Sequence, residues 1–151
     1  MNIKLSDVIN YAVKLKALSY KKLPVKVSYA IAVNMKLLIS KAEDIDEQRK
    51  KILTEKCVKD EHGNPKLKEM VEKDENGEII EKKQSEKRYN YVYETDEDMN
   101  KAFKSVEELM DIEEDIKIMN IKFSELEKCD SDNYDRLTGN DIESLLFMLV
   151  D

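Results

Sequence analysis

Two hydrophobic periods compete in KKLPVKVSYAIAVNMK, residues 21–36. Val25, Val27, Tyr29, Ile31 and Val33 recur at every second position, the pattern of a half-buried strand. Val27, Ala30, Ile31, Asn34, Leu38, Ala42 and Ile45 recur at steps of three and four, the pattern of one helix face. The strand reading leaves Ala30 and Ala32 on the side where Lys26 and Ser28 would meet water. The helical stripe runs on through Ile52 and Leu53, whereas strands seldom exceed about ten residues. Pro24 suits helix entry, because its φ is already helical and its missing N–H would find no partner there. The pattern therefore predicts a long helix over 25–57.

Upstream, Ser6 and Asp7 are the expected cap of an earlier helix, carried by Val8, Ile9, Ala12, Val13, Leu15 and Leu18 to about Tyr20. The short link SYKKLP makes an antiparallel helical hairpin the expected arrangement.

Downstream of Cys57 the texture changes. VKDEHGNP and EKDENGEI resemble each other, and the stretch 58–88 is polar, as in a protruding hairpin or a mobile arm. Asn76-Gly77 is a tight-turn signal flanked by Met70–Val71 and Ile79–Ile80, whereas HGNP reads as a helix-closing turn with Gly63 as its C-cap. RYNYVYE predicts a strand over 88–94 with Tyr89, Tyr91 and Tyr93 on one face. Thr95 or Asp96 then caps a helix bearing Met99, Ala102, Phe103, Val106, Leu109 and Met110. DIKIMNIKF predicts another strand, with a slip between Ile118 and Met119 that fits a bulge. FSELEK gives a helical turn and CDSDNYDRLTGN a loop. Thr138 or Asn140 caps a short terminal helix in ESLLFMLV, apolar enough to require burial in its own core or against a second subunit.

The expected fold class is mainly α (α+β): a long N-terminal antiparallel helical hairpin, a small antiparallel β element and a short C-terminal helix. One domain is expected over 1–151, divided as 1–57, 58–94 and 95–151.

Composition narrows the chemistry. Only three Gly and two Pro among 151 residues disfavour a many-stranded sandwich. Cys57, Cys129 and the single His62 are too scattered for a zinc or iron–sulfur site, so no metal and no cofactor are expected. Asp111, Glu113, Glu114 and Asp115 are nearly consecutive rather than convergent, which favours solvated surface over a cation site. DENGEI fails as an EF-hand, since its Gly stands at the fourth position instead of the sixth. No segment approaches the roughly 20 apolar residues of a membrane helix. The start MNIKLSDVIN lacks a signal-like apolar run, so reduced thiols and a cytosolic setting are expected.

Charge is unevenly spread. Residues 1–40 carry +6, residues 41–93 carry −1 and residues 94–151 carry −12, which make up the net −7. Either the basic start packs beside the acidic end, or the acidic half docks a basic partner as a nucleic-acid mimic.

No P-loop, dinucleotide fingerprint, nucleophile elbow or HExxH motif occurs. Two basic and aromatic groupings remain. Lys87, Arg88, Tyr89, Tyr91 and Tyr93 could stack bases and pair phosphates, or could be cross-strand contacts with a cationic rim. Lys14, Lys16, Lys21, Lys22 and Lys26 could hold phosphate, or could be a solubilising rim. The candidate ligand or partner site is thus Lys21, Lys22, Arg88, Tyr89, Tyr91 and Tyr93.

KKLPVKVSYAIAVNMKLL, EQRKKILTEKCVKDEHGNP and LTGNDIESLLFMLVD together resemble a family of small proteins of tailed phages and prophages. NKAFKSVEELMDIEEDIKIMNIKFSEL is similar to that family's intervening helix and lysine-flanked short strand. The likeness is weakest over about 64–93, where this chain looks longer. The resemblance implies a phage origin and a helical hairpin with a small β element. It brings no catalytic residues.

The expectation that follows is a non-enzymatic phage protein in the host cytoplasm that binds a host protein, such as a defence component. The alternatives are an oligomer sequestering a nucleotide-like signal between subunits, and a virion or assembly component. A homodimer or higher oligomer is expected, because a helix of about 33 residues spans roughly 50 Å and its apolar stripe needs a cover. Neither nucleic acid nor membrane is an expected partner.

Overall fold

The computed structural model describes residues 1–151. The stretch after Pro24 is helical, and its apparent alternation is divided between two faces. Val27 and Ile31 are 0% and 1% exposed, while Val25 and Tyr29 are 81% and 61% exposed. In chain order the elements are β1 (Asn2–Lys4), α1 (Leu5–Leu18), α2 (Val25–Glu55), β2 (Leu67–Glu69), β3 (Tyr89–Tyr91) and α3 (Asp96–Met110). They continue with β4 (Glu113–Asp115), β5 (Ile121–Lys122), α4 (Phe123–Glu127), α5 (Gly139–Leu145) and β6 (Leu149–Val150). The mainly α, α+β class holds: α1 and α2 follow one another through a short link, the sheets are small and a short helix lies near the end. No helix is long and apolar enough to cross a membrane.

The chain divides into two compact units, residues 1–47 with 109–151, and residues 48–108.

In the first unit, β1 pairs antiparallel with β4, with Ile3 opposite Glu114, and β5 pairs parallel with β6, with Ile121 opposite Leu149. Neither β1 nor β6 has enough residues for a period-2 signal to show. Val8, Leu15 and Leu18 of α1, Val27, Ile31 and Leu38 of α2, and Leu145 and Met148 near the end share one buried core. Burying each such side chain is worth about 1.5–3 kcal/mol. Tyr11 stacks on Phe147 with centroids 4.1 Å apart and planes 14° from parallel. The helix-and-turn at the end thus does bury its main apolar residues, Leu145 and Met148, although Leu146 stays exposed.

Two expectations fail in this unit. Helix α1 begins one residue before Ser6, and Lys4 stands at its N-cap without a side-chain bond. The first helical N–H, that of Leu5, instead donates to the Ile112 carbonyl at 2.9 Å. Ser6 and Asp7 therefore lie inside the first turn. DIKIMNIKF is not one strand with a bulge: β4 ends at Asp115, and the chain turns through Ile116–Asn120 before β5. Buried Asn34 holds that turn, accepting from the Met119 N–H at 2.8 Å and donating to the Met119 carbonyl at 2.9 Å.

The charge asymmetry is used internally. Lys4 pairs with Asp111 at 3.1 Å, Lys21 with Asp141 at 2.9 Å and Lys26 with Glu125 at 3.1 Å. The basic start thus meets the acidic end within this unit. Thr138 caps α5 as expected. Its hydroxyl accepts from the Asp141 N–H, and the Asp141 carboxylate accepts from the Thr138 N–H.

In the second unit the similar stretches at 58–65 and 72–79 fold alike. The Asp60 carboxylate accepts from the N–H groups of His62 and Asn64 at 2.9 Å, and the Asp74 carboxylate accepts from those of Asn76 and Glu78 at 2.9 Å. The Gly63 N–H donates to the Asp60 carbonyl and the Gly77 N–H to the Asp74 carbonyl. Gly63 and Gly77 have φ of 79° and 80°, a region L-residues avoid. Each is a hairpin turn, closed by Lys59 opposite Pro65 and by Lys73 opposite Ile79. Gly63 is therefore not a helix C-cap, because α2 has already ended at Glu55. The arm adds a third pairing, β2 with β3, in which Leu67 faces Tyr91 and Glu69 faces Tyr89.

The regular strand is shorter than 88–94, but Tyr93 continues the line through a bridge to Cys57. Thr95 caps α3 by accepting from the Asp98 N–H at 3.1 Å. Of the apolar face expected for α3, Ala102 is the member that is buried.

Candidate functional site

The arm of the second unit places polar turn residues at its hairpin tips and apolar residues on either side of them. Leu67, Met70, Val71, Ile79, Ile80 and Tyr89 are all exposed, with Ile79 at 64%. Polar surroundings rarely leave so many large apolar side chains grouped in one short segment without a binding role. Between the arm and the start of α3 lies a groove of about 660 Å³, lined by Met70, Val71, Ile79, Tyr91, Tyr93 and Met99 among others.

Tyr93 anchors this groove. Its hydroxyl donates to the Leu53 carbonyl at 2.6 Å, and its ring meets Phe103 edge-on at 6.4 Å. Burial raises its pKa above the ordinary tyrosine value, with the Cys57 and Tyr91 groups adding to the shift. Its hydroxyl is thus committed to structure. Tyr91 is half-buried in the groove wall, and exposed Tyr89 accepts a bond from Gln84 Nε2 at 3.3 Å.

Arg88 lines a separate concavity of about 440 Å³ with Glu72, Lys82, Ser85, Glu86 and Lys87. Its cationic neighbours have partners. Lys82 pairs with Glu72 at 2.7 Å and Lys87 with Glu69 at 3.6 Å. The hydrogen bond from Lys82 holds the Glu72 carboxyl below its usual pKa. A phosphate here would compete with two carboxylates.

Lys21 and Lys22 belong to the first unit, whereas Arg88, Tyr89, Tyr91 and Tyr93 belong to the second. Lys21 pairs with Asp141. The Lys22 backbone exchanges bonds with Asp135: its N–H donates to the carboxylate at 2.6 Å, and its carbonyl accepts from the Asp135 N–H at 2.8 Å. Only the Lys22 ammonium remains unpaired, in solvent.

The acidic run is dispersed among cations: Asp111 pairs with Lys4, Glu114 with Lys41 and Asp115 with the amino terminus. No three His, Cys, Asp or Glu side chains converge as a ligand set. His62 lies exposed in its turn. The Cys57 thiol donates to the Thr54 carbonyl at 3.2 Å, and burial pushes the Cys129 thiol pKa up, which leaves Cys129 a poor nucleophile.

The groove residues Met70, Val71 and Ile79 are absent from the site expected from sequence. Their signal was the pair of apolar dipeptides flanking Asn76-Gly77. No family model, curated protein or solved structure matches the chain.

Proposed function

We propose that this is a non-enzymatic, phage-encoded binding protein that acts in the cytoplasm of the infected host by docking a host protein, a defence component being the target class. The observation that carries the reading is the exposed apolar groove of the arm, walled by Met70, Val71, Ile79 and Tyr91. The apolar wall suits a protein side-chain anchor, and Lys68, Glu69, Lys73 and Asp96 give the groove a rim of mixed charge. The partnered state of Lys82 and Lys87 weighs against phosphate recognition at Arg88. The β2–β3 pairing holds the Tyr91 side of the groove, and the Met70 N–H bond to the Arg88 carbonyl and the Lys73–Ile79 bridge hold the other, which lowers the ordering cost of docking. Homo-oligomerisation belongs to the same reading. The test is affinity purification of the tagged full chain from host cells. Quantitative mass spectrometry should show one host protein at stoichiometric level. A preparation holding no stoichiometric protein, or one carrying a nucleotide instead, contradicts the proposal.

A further inference from the structure

Helix α2 has a second face that its own core does not use. Val25, Tyr29, Val33 and Leu37 are all exposed and recur every four residues, forming one ridge on the solvent side. The ridge borders a groove of about 440 Å³ walled by Val25, Tyr29, Met119, Ile121 and Glu125. Around this ridge, cations precede and interrupt it at Lys22, Lys26 and Lys36, and carboxylates follow it at Glu43 and Asp44. Lys22 stands unpaired just before the ridge, and Glu43 and Asp44 stand exposed and unpaired beyond it. At about 100° per residue, Glu43 and Asp44 fall on the same side of the helix as the ridge.

We infer that this face pairs with the same face of a second copy, the two α2 helices running antiparallel about a twofold axis near Ile31. The charge order decides the occupant. An antiparallel partner places Val25 opposite the partner's Leu37 and Tyr29 opposite the partner's Val33. The same register brings Lys22 to the partner's Ser40–Asp44 stretch, so each copy's free cation meets the other's free carboxylates. An isologous contact makes this match twice. The partner's Leu37 lands at the Val25–Tyr29 groove. Lys36 comes opposite the partner's Lys26, a like-charge approach that Glu125, shared between Lys26 and Lys128, offsets only in part. The contact strip from Val25 to Asp44 is about 30 Å long at 1.5 Å per residue.

The inference names the interface for the oligomeric part of the proposed function, on which it rests, and is independent of the host-protein part. Multi-angle light scattering of the full chain at micromolar concentration tests it. The expected mass is that of two 17.7 kDa chains. Val33→Asp and Tyr29→Asp, both at exposed positions, should give monomers with unchanged circular dichroism. Lys22→Glu alone and Asp44→Lys alone should each weaken the dimer about tenfold, and mixing the two variants should restore it, since both cross-pairs are then complementary. A monomeric wild type overturns oligomerisation itself. A dimer that survives Val33→Asp and Tyr29→Asp, or a mixture no tighter than either charge variant, overturns this face. Capture of a host protein is a separate readout and is unaffected by either result.

Discussion

Asn34 and Met119 exchange two hydrogen bonds across 85 residues of sequence, the side-chain amide of Asn34 satisfying both the N–H and the carbonyl of Met119. Asn34 is fully buried, so its amide costs free energy unless paired, and the Met119 backbone supplies both partners. Replacing Asn34 by Ala orphans both Met119 groups. The expected loss is about 2 kcal/mol, read as a lower urea midpoint. Asn34→Asp keeps an acceptor but removes the donor, and should cost at least as much at neutral pH.

The Thr138–Asp141 capping box makes a pH prediction. Burial raises the Asp141 pKa, but hydrogen bonds from the Thr138 backbone, Lys21 and the Thr138 hydroxyl outweigh it and hold the carboxyl below its usual value. A depressed folded pKa contributes stability above the unfolded value near about 4, lost as pH falls through the folded value. Asp141→Asn should flatten the acid limb of a stability-versus-pH curve below about pH 4. Thr138→Ala should cost about 1 kcal/mol at pH 7.

The two hairpin turns of the arm predict a local effect. Open space surrounds a Cβ at Gly63 or Gly77, so Ala substitution acts through φ alone. Gly77→Ala should destabilise its turn by about 1–2 kcal/mol. Hydrogen exchange at the Asp74 and Glu78 amides should speed up about tenfold, with exchange of the α1 amides unchanged.

The same turns show how far sequence reasoning reaches. The repeated Lys-Asp-Glu pattern marked both sites, and the positive φ at each Gly explains the repeat. HGNP was misassigned because a Gly after a long helix has the same signature at a C-cap and at a hairpin. The long helix, the Tyr strand and the Thr138 cap were legible because each is encoded by near neighbours. The partner of Leu5, the clasp on Met119 and strands β1 and β6 depend on residues far along the chain, which local periodicity cannot register. The candidate site was half legible. Tyr91 and Tyr93 do line the arm groove, but Lys21 and Lys22 stand in the other unit, and the apolar wall came from dipeptides read only as turn flanks. The alternation that imitates a strand after Pro24 is the sum of a buried helix face and an exposed ridge.

Tyr93 predicts an alkaline effect. Tyr93→Phe removes the bond to the Leu53 carbonyl and should cost about 1 kcal/mol at pH 7. With its pKa raised in the folded state, Tyr93 contributes stability that is complete below about pH 10 and is lost as pH rises through the folded value. Wild type should therefore lose its advantage over Tyr93→Phe on the alkaline side, in melting curves taken across that range.

Docking of a host protein at the arm groove, as proposed, would show in a paired affinity capture. Wild type and Ile79→Asp, immobilised at equal density, are exposed to the same host lysate. Ile79 is exposed, so the substitution leaves the fold intact while placing a charge in the groove wall. The prediction is one host protein retained stoichiometrically by wild type and reduced at least about tenfold by Ile79→Asp, a loss of about 1.4 kcal/mol or more. Equal retention by both proteins would contradict the proposal.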